Sequence, residues 1–519
     1  MPYAIDLFCG AGGFSEGILQ AGFDIVFSSD KSPMVEETYT NRHKQLGIVE
    51  GIDTHFELAD IKELEAEKIF SEINKLKYGD IFEYGNIDVI FGGPPCQGFS
   101  RLGKRDSKDP RNMLFHEYLR IIKDVNPKYV VMENVTGILD MLMLDFPSVL
   151  TSKLYEGQNL VKEILKKELE GLGYVLLDVQ VLNAEDFGVP QKRNRVVFLA
   201  YRKDVAPIEY PNIKEQKNST VHDALGDLYF GKEEYSTDFS KKSVMGRTLN
   251  KKGQPVSRNS LTNMELSKHE DIIVERFSLY NQGENRNKAV ARLRKEGIDL
   301  KKLCPNLFYD SLFQLNAKTN YDILRKYLSK NNNLKDELKN EKWLKFTNKQ
   351  LSLLFIYSQS EEYGFNKALK SLSQRIKLGK KETIEFWDYV SSKINQELTE
   401  EVYLESLKRG LIDDKMAEAI FTKKNIRVRL DAKSSAPTMV TLPDDFIHPY
   451  FNRVLTVREM ARLQSFDDSF QFLGKRTTGG DKRSQETPQF TQVGNAVPPL
   501  LAKSIAEEVY IALEKVEVK

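Results

Sequence analysis

Short apolar runs at residues 4–8, 24–28, 87–91, 129–132, 174–181 and 195–200 recur at intervals long enough to hold a helix. Between the first two, Phe14, Ile18 and Ala21 share one helical face, and Gly22 stands where a helix can stop on a left-handed residue. Strands alternating with helices bury both partners as an open, mostly parallel sheet with helices on both faces. The fold class read from the sequence is α/β.

One such core does not account for 519 residues, since single cores stop growing at roughly 250–300 residues. After residue 228 the sequence turns polar and rich in Lys and Asn, with helical stretches around 323–328, 343–357 and 384–390. Near the end, Leu501, Ile505, Val509, Leu513 and Val516 repeat on one face after Pro498-Pro499, as in a helix that packs back on the first core. The expected organisation is a catalytic, cofactor-binding domain at 1–228, an inserted domain at 229–436, and a return to the first domain at 437–519.

Composition narrows the class further. Apolar residues make up 40% and charged residues 29%, and no apolar run approaches the roughly 18 residues of a membrane span. A strand begins within a few residues of Met1, leaving no secretory leader, so the protein is expected in the cytoplasm. Cys9, Cys96 and Cys304 are too few and too scattered for a disulfide frame or a zinc site, and no metal is expected. Net charge is +1, so only the distribution of charge bears on nucleic acid. Residues 241–260 hold six Lys/Arg and no acid, which suits either a loop that tracks phosphates or a solvated basic loop.

The first strand runs into Cys9-Gly10-Ala11-Gly12-Gly13 and then a helix, the geometry in which backbone N–H groups face a ligand. The dinucleotide fingerprint G-x-G-x-x-G fails, because counting from Gly10 puts Ser15 in the third glycine position. Asp30, just past the second strand, is placed to accept two ribose hydroxyls, and Asp60 to take an adenine amino group. Together these residues suggest a ligand that carries adenosine.

Gly92-Gly93-Pro94-Pro95-Cys96-Gln97-Gly98 follows the apolar run 87–91, at the sheet edge where open α/β sheets bind ligands. Two prolines fix φ and remove two donors, so Cys96 is presented with little freedom, as a nucleophile requires. Glu133-Asn134-Val135 ends the next strand at the same edge, where partial desolvation raises a carboxyl pKa and lets it donate a proton to a ring nitrogen. Arg193 and Arg195, two residues apart in an extended segment, share a face; one can bond a substrate ring and the other brace Glu133 or a phosphate.

With DLFCGAGGFSEG, GGPPCQGFS, MENV, QKRNRVVFLA, RVLTVREMARLQSFDDSF and QVGNAVPP in this order, the chain resembles the bacterial DNA cytosine-5 methyltransferases of restriction-modification type. The blocks lie within 1–228 and 437–519. The resemblance implies S-adenosylmethionine as cofactor, with Phe8 stacking on adenine, Ala11 and Gly13 near its methionine part, Asp30 on the ribose and Asp60 on the adenine. Gly10, Ile61, Pro95, Leu114, Asn495 and Val497 complete that pocket. It implies Cys96, Glu133, Arg193 and Arg195 as catalytic residues, and methylation of C5 of a cytosine flipped out of double-stranded DNA. It also implies a monomer that protects host DNA from a cognate endonuclease, and a target-recognition domain at 229–436. The family often has an aromatic residue after the ribose acid, where this chain has Lys31, and 229–436 matches no motif we can name. An RNA cytosine-5 methyltransferase of the same fold is the competing enzyme, disfavoured by the large inserted domain. A catalytically silent DNA-binding protein is the competing non-enzyme, disfavoured by Cys96, Glu133 and Arg195.

Overall fold

Asp6 is the one charged residue in the strand Tyr3–Leu7 (β1), whose neighbours alternate between two cores. Ala4 faces one hydrophobic cluster and Ile5 and Leu7 the other, and the same alternation separates Tyr129 and Val131 from Val130 and Met132 in Tyr129–Asn134 (β5). A sheet apolar on both faces needs a helical layer on each. The computed structural model describes residues 1–95, 113–151, 153–213, 218–230, 235–358, 362–424, 426–478 and 485–517, and it supplies both layers.

Along the chain, β1 is followed by Gly13–Gln20 (α1), Asp24–Asp30 (β2), Pro33–Gln45 (α2), His55–Leu58 (β3) and Ala66–Ile73 (α3). Val89–Gly92 (β4), Leu114–Val125 (α4), β5, a hairpin of Leu142–Pro147 (β6) and Leu154–Leu160 (β7), and Val161–Gly171 (α5) come next. Tyr174–Leu176 (β8), Gln180–Asn183 (β9) and Asn194–Arg202 (β10) complete the sheet, so the apolar run 174–181 is two strands rather than one. Spatial order is β3-β2-β1-β4-β5-β10-β8, with β9 also on β10. Strands β1 to β5 are parallel, and β10 runs antiparallel to β5. The order reverses between β1 and β4, and ligands of open α/β sheets bind at such a switch point, beyond the strands' carboxyl ends.

One face of the sheet is covered by α3, α4 and α5. The other is covered by α1 and the terminal helix Pro499–Glu517, through Leu501, Ile505 and Val509. At Gly17 of α1 a Cβ would lie 2.4 Å from the Ala502 methyl, so glycine here is what lets the two helices meet. Among the described residues no helix is long and apolar enough to cross a membrane.

The chain forms two compact units. The first comprises Met1–Leu266, Asp431–Pro443 and Leu455–Lys519, and the second Ser267–Leu430 and Asp444–Val454. The first unit thus runs past residue 228, and polar side chains explain why. Arg247 pairs with buried Asp467 at 2.7 Å, and Arg258 with buried Asp468 at 2.9 Å. Thr248 donates to Glu16 of α1, which also holds Arg42, and Arg462 pairs with both Asp468 and Asp227. The second unit is helical around two apolar clusters. One gathers Leu293, Phe308, Tyr403 and Ile420, and the other Leu324, Leu344, Leu372 and Trp387.

Candidate active site

The loop after β1 enters the switch point with Phe8 at φ 56°, a left-handed conformation that a bulky side chain adopts only where the fold compels it. Gly10 N–H then donates to Asp30 Oδ2 (3.2 Å) at the end of β2, whose other oxygen accepts from Ser32 N–H (2.9 Å). Burial raises the Asp30 pKa, against the pull of these N–H groups. A Cβ on Gly13 would fall 2.4 Å from the Val497 carbonyl oxygen, so the returning segment closes on the glycine loop with no room for a side chain. Asp60 follows β3 and accepts from Lys62 N–H (3.2 Å), with Ile61 buried beside it. Ala11, Leu114 and Val497 are buried, and Asn495 is exposed.

The second half of the site follows β4 and β5. Asn134 Nδ2 donates to the Pro94 carbonyl (3.1 Å), which ties the Pro-Pro turn to the end of β5. Gly93 lies against the Glu133 carboxyl, its Cβ position 3.4 Å from Oε2. Pro95 is half-buried. Cys96 and the polar stretch 101–112 lie outside the described residues. Of the other two cysteines, Cys9 and Cys304 are both buried, and burial raises both thiol pKa values, which makes them poor nucleophiles.

Glu133 is buried, and desolvation raises its pKa; the charges of Arg195 and then Arg193, and the bond from Arg195, act against the shift. Arg195 Nε sits 2.5 Å from Glu133 Oε1. This is the brace that the spacing of the two arginines suggested. Arg193 donates to the carbonyls of Met439 (2.9 Å) and Gly494 (2.8 Å) and so anchors two returning segments, while its charge also acts on Glu133.

Two features were not singled out from the sequence. Gln191 donates to Leu463 O (3.1 Å) and accepts from Met439 N–H (2.7 Å), adding a second clamp beside Arg193. Asp6 accepts from Ser15 Oγ while its other oxygen has no hydrogen-bond partner among the described residues, and burial, helped by Asp30, pushes its pKa up to about 7. A lone acid inside an apolar strand that runs into a glycine turn is the signal that would have found it. Half of the six basic residues in 241–260 are taken up by internal pairs: besides Arg247 and Arg258, Lys251 lies 3.2 Å from Asp53 and 3.6 Å from Asp24, the residue that begins β2, whereas Lys241, Lys242 and Lys252 are exposed and form no ion pair among the described residues. Lys251 therefore sits at the sheet edge away from the glycine loop.

Comparison with known proteins agrees with this geometry. The sequence model described as C-5 cytosine-specific DNA methylase matches residues 3–510. The Type II methyltransferase M.DdeI of Desulfomicrobium norvegicum is 26% identical over 512 residues, 97% of this chain and 88% of that protein. M.AgeI of Thalassovita gelatinovora is 26% identical over 519 residues, 98% of this chain and 99% of that protein. Among solved structures, a putative DNA modification methyltransferase encoded within an E. coli prophage aligns over 99% of this chain and 100% of its own, with a TM-score of 0.56 and 20% identity, which shows a shared fold.

Proposed function

The chain belongs to the C-5 cytosine-specific DNA methylase family, and from that premise we propose how its residues methylate cytosine. It is a DNA (cytosine-5-)-methyltransferase of restriction-modification type. The site edge fits an adenosine-bearing cofactor: acceptors at Asp30 and Asp60, a glycine loop closed by the Val497 carbonyl, and Phe8 held in a left-handed conformation at the loop's entrance. S-adenosylmethionine, held by Phe8, Gly10, Ala11, Gly13, Asp30, Asp60, Ile61, Pro95, Leu114, Asn495 and Val497, supplies an electrophilic methyl group.

Cytosine C5 is a weak nucleophile until the ring becomes an enamine. The Cys96 thiolate adds to C6, forming an S–C6 bond, and the displaced ring electrons come to rest on N3, which receives a proton or hydrogen bond from Glu133. Burial raises the Glu133 pKa, the direction that favours its proton-donating form, and Arg195 fixes the carboxyl's orientation. Once C5 carries the methyl group, loss of the C5 proton returns electrons to the ring and expels Cys96. Both ring faces are covered in a duplex, so the base is flipped out at a cost of a few kcal/mol. We assign recognition of the DNA sequence to the inserted region 229–436, with the second unit as its compact part. The protein acts in the cytoplasm as a monomer and protects DNA from an endonuclease of the same specificity.

The observation that carries this reading is Glu133, buried at the end of β5, braced by Arg195 and touching the glycine that leads into Pro94-Pro95-Cys96. Transfer of labelled methyl from S-adenosylmethionine to duplex DNA, and not to tRNA, is the expected result. Transfer to tRNA alone favours the RNA enzyme, and no transfer to either favours a silent DNA-binding protein.

A further inference from the structure

Residues 316–381 carry 15 Lys/Arg against 6 Asp/Glu in a chain whose net charge is +1, so the rest of the chain is net acidic. Two helices of the second unit, Glu341–Tyr357 and Glu362–Ile376, show where that charge goes. Leu344, Leu351 and Leu354 of the first enter a shared core with Leu369, Leu372 and Ile376 of the second. Lys342, Lys345 and Lys349, three and four residues apart, stand on the opposite side of the first helix and are exposed. On the second, Lys367 and Lys370 are exposed beside Asn366, Ser371 and Gln374, and no carboxylate is among its described exposed side chains. Lys349 pairs with Glu270 at 2.6 Å; among the described residues Lys342, Lys345, Lys367 and Lys370 form no ion pair.

Unpaired like charges on neighbouring turns repel one another and add nothing to the core beneath. Among the described residues between Leu303 and Ile384, no large apolar side chain is exposed. The surface therefore lacks both the aromatic anchors of a protein interface and the apolar wedge of a membrane-bound helix. Ammonium groups on flexible stems suit a polyanion whose charges repeat along a line, and the enzyme acts on one.

We propose that the exposed lysines of these two helices bind duplex DNA through its phosphates without reading sequence, as a hold separate from the recognition of bases. The proposal rests on the enzyme's action on DNA. It is tested on the full-length chain by comparing the parent with a variant carrying Lys342→Gln, Lys345→Gln, Lys367→Gln and Lys370→Gln. Binding to an arbitrary duplex of about 40 bp is measured between about 50 and 200 mM salt. Each lost phosphate contact should flatten the slope of log K against log salt by about 0.9, so the loss of two to four contacts should make the variant's slope shallower by about 2 to 4, with affinity down at least about tenfold at low salt. Arginine at the same four positions should keep the parental slope, and kcat at saturating DNA should hold in both variants. An unchanged slope in the glutamine variant overturns the proposal, as does a loss confined to one DNA sequence. A parent that methylates DNA with an unchanged variant slope condemns this surface alone, whereas a parent that methylates no DNA condemns the functional reading.

Discussion

Two basic stretches of this chain give up different shares of their charge to internal pairs. Residues 241–260 have no acid among them, yet Arg247, Lys251 and Arg258 each meet a carboxylate from elsewhere in the fold. The lysines of 342–370 are diluted among apolar residues, yet they reach solvent on the outer faces of two helices. Charge in a sequence is therefore not charge available to a ligand. The helical period reveals which face of a segment is free, whereas a loop's partners, some 220 positions away, leave no local trace.

The largest expected effect tests that contrast. Arg247→Met leaves Asp467 buried without its partner and should cost about 3–5 kcal/mol, seen as a drop in Tm. Lys345→Met, on the exposed face, should stay within about 0.5 kcal/mol. Equal effects from the two variants would erase the distinction between internal and displayed charge.

The same contrast recurs two residues apart at the start of β10. Arg195→Met should lower kcat about a hundredfold, because it removes the brace on Glu133, and should lower Tm as well by leaving a buried carboxyl without its charged partner. Arg193→Met should act on stability first, costing about 2–3 kcal/mol by stranding the carbonyls of Met439 and Gly494. An activity loss without a stability loss in the Arg193 variant would return Arg193 to the reaction itself.

A smaller effect concerns Asp6. Its folded pKa of about 7 lies above the ordinary carboxylate value of 3.8, so the folded state holds the proton more tightly than the unfolded chain. Below the ordinary value Asp6 costs nothing; as pH rises toward 7 it destabilises the fold progressively. Between about pH 5 and 8 it should remove about 2–3 kcal/mol, and Asp6→Asn should flatten that part of the stability profile. Parallel profiles for parent and variant would show that Asp6 is ionised throughout.

Much of the catalytic half was legible in the sequence because its signals are local. Period-two alternation separates Ala4 from Ile5 and Leu7, and strand-end motifs place the glycine loop, Asp30, Pro94-Pro95 and Glu133 along one sheet edge. The reach of the first unit to Leu266 was not legible, since it depends on Arg247, Thr248 and Arg258 finding Asp467, Glu16 and Asp468. Nor were the bonds of Arg193 to Met439 and Gly494, because a spacing of two places it on a face but cannot say which backbone returns beside it.

The central claim is covalent chemistry at Cys96, and a fluorinated substrate tests it most directly. With fluorine on C5, methyl transfer leaves no proton on C5 for a base to take, so Cys96 cannot be expelled and the adduct persists. Duplex DNA bearing 5-fluorocytosine in the recognised site, with S-adenosylmethionine present, should give a denaturation-resistant complex joined through Cys96. Cys96→Ser should abolish trapping while cofactor affinity stays nearly intact, the hydroxyl being a far weaker nucleophile near neutral pH. An adduct mapped to Cys9 or Cys304, or full turnover by the serine variant, would contradict the account.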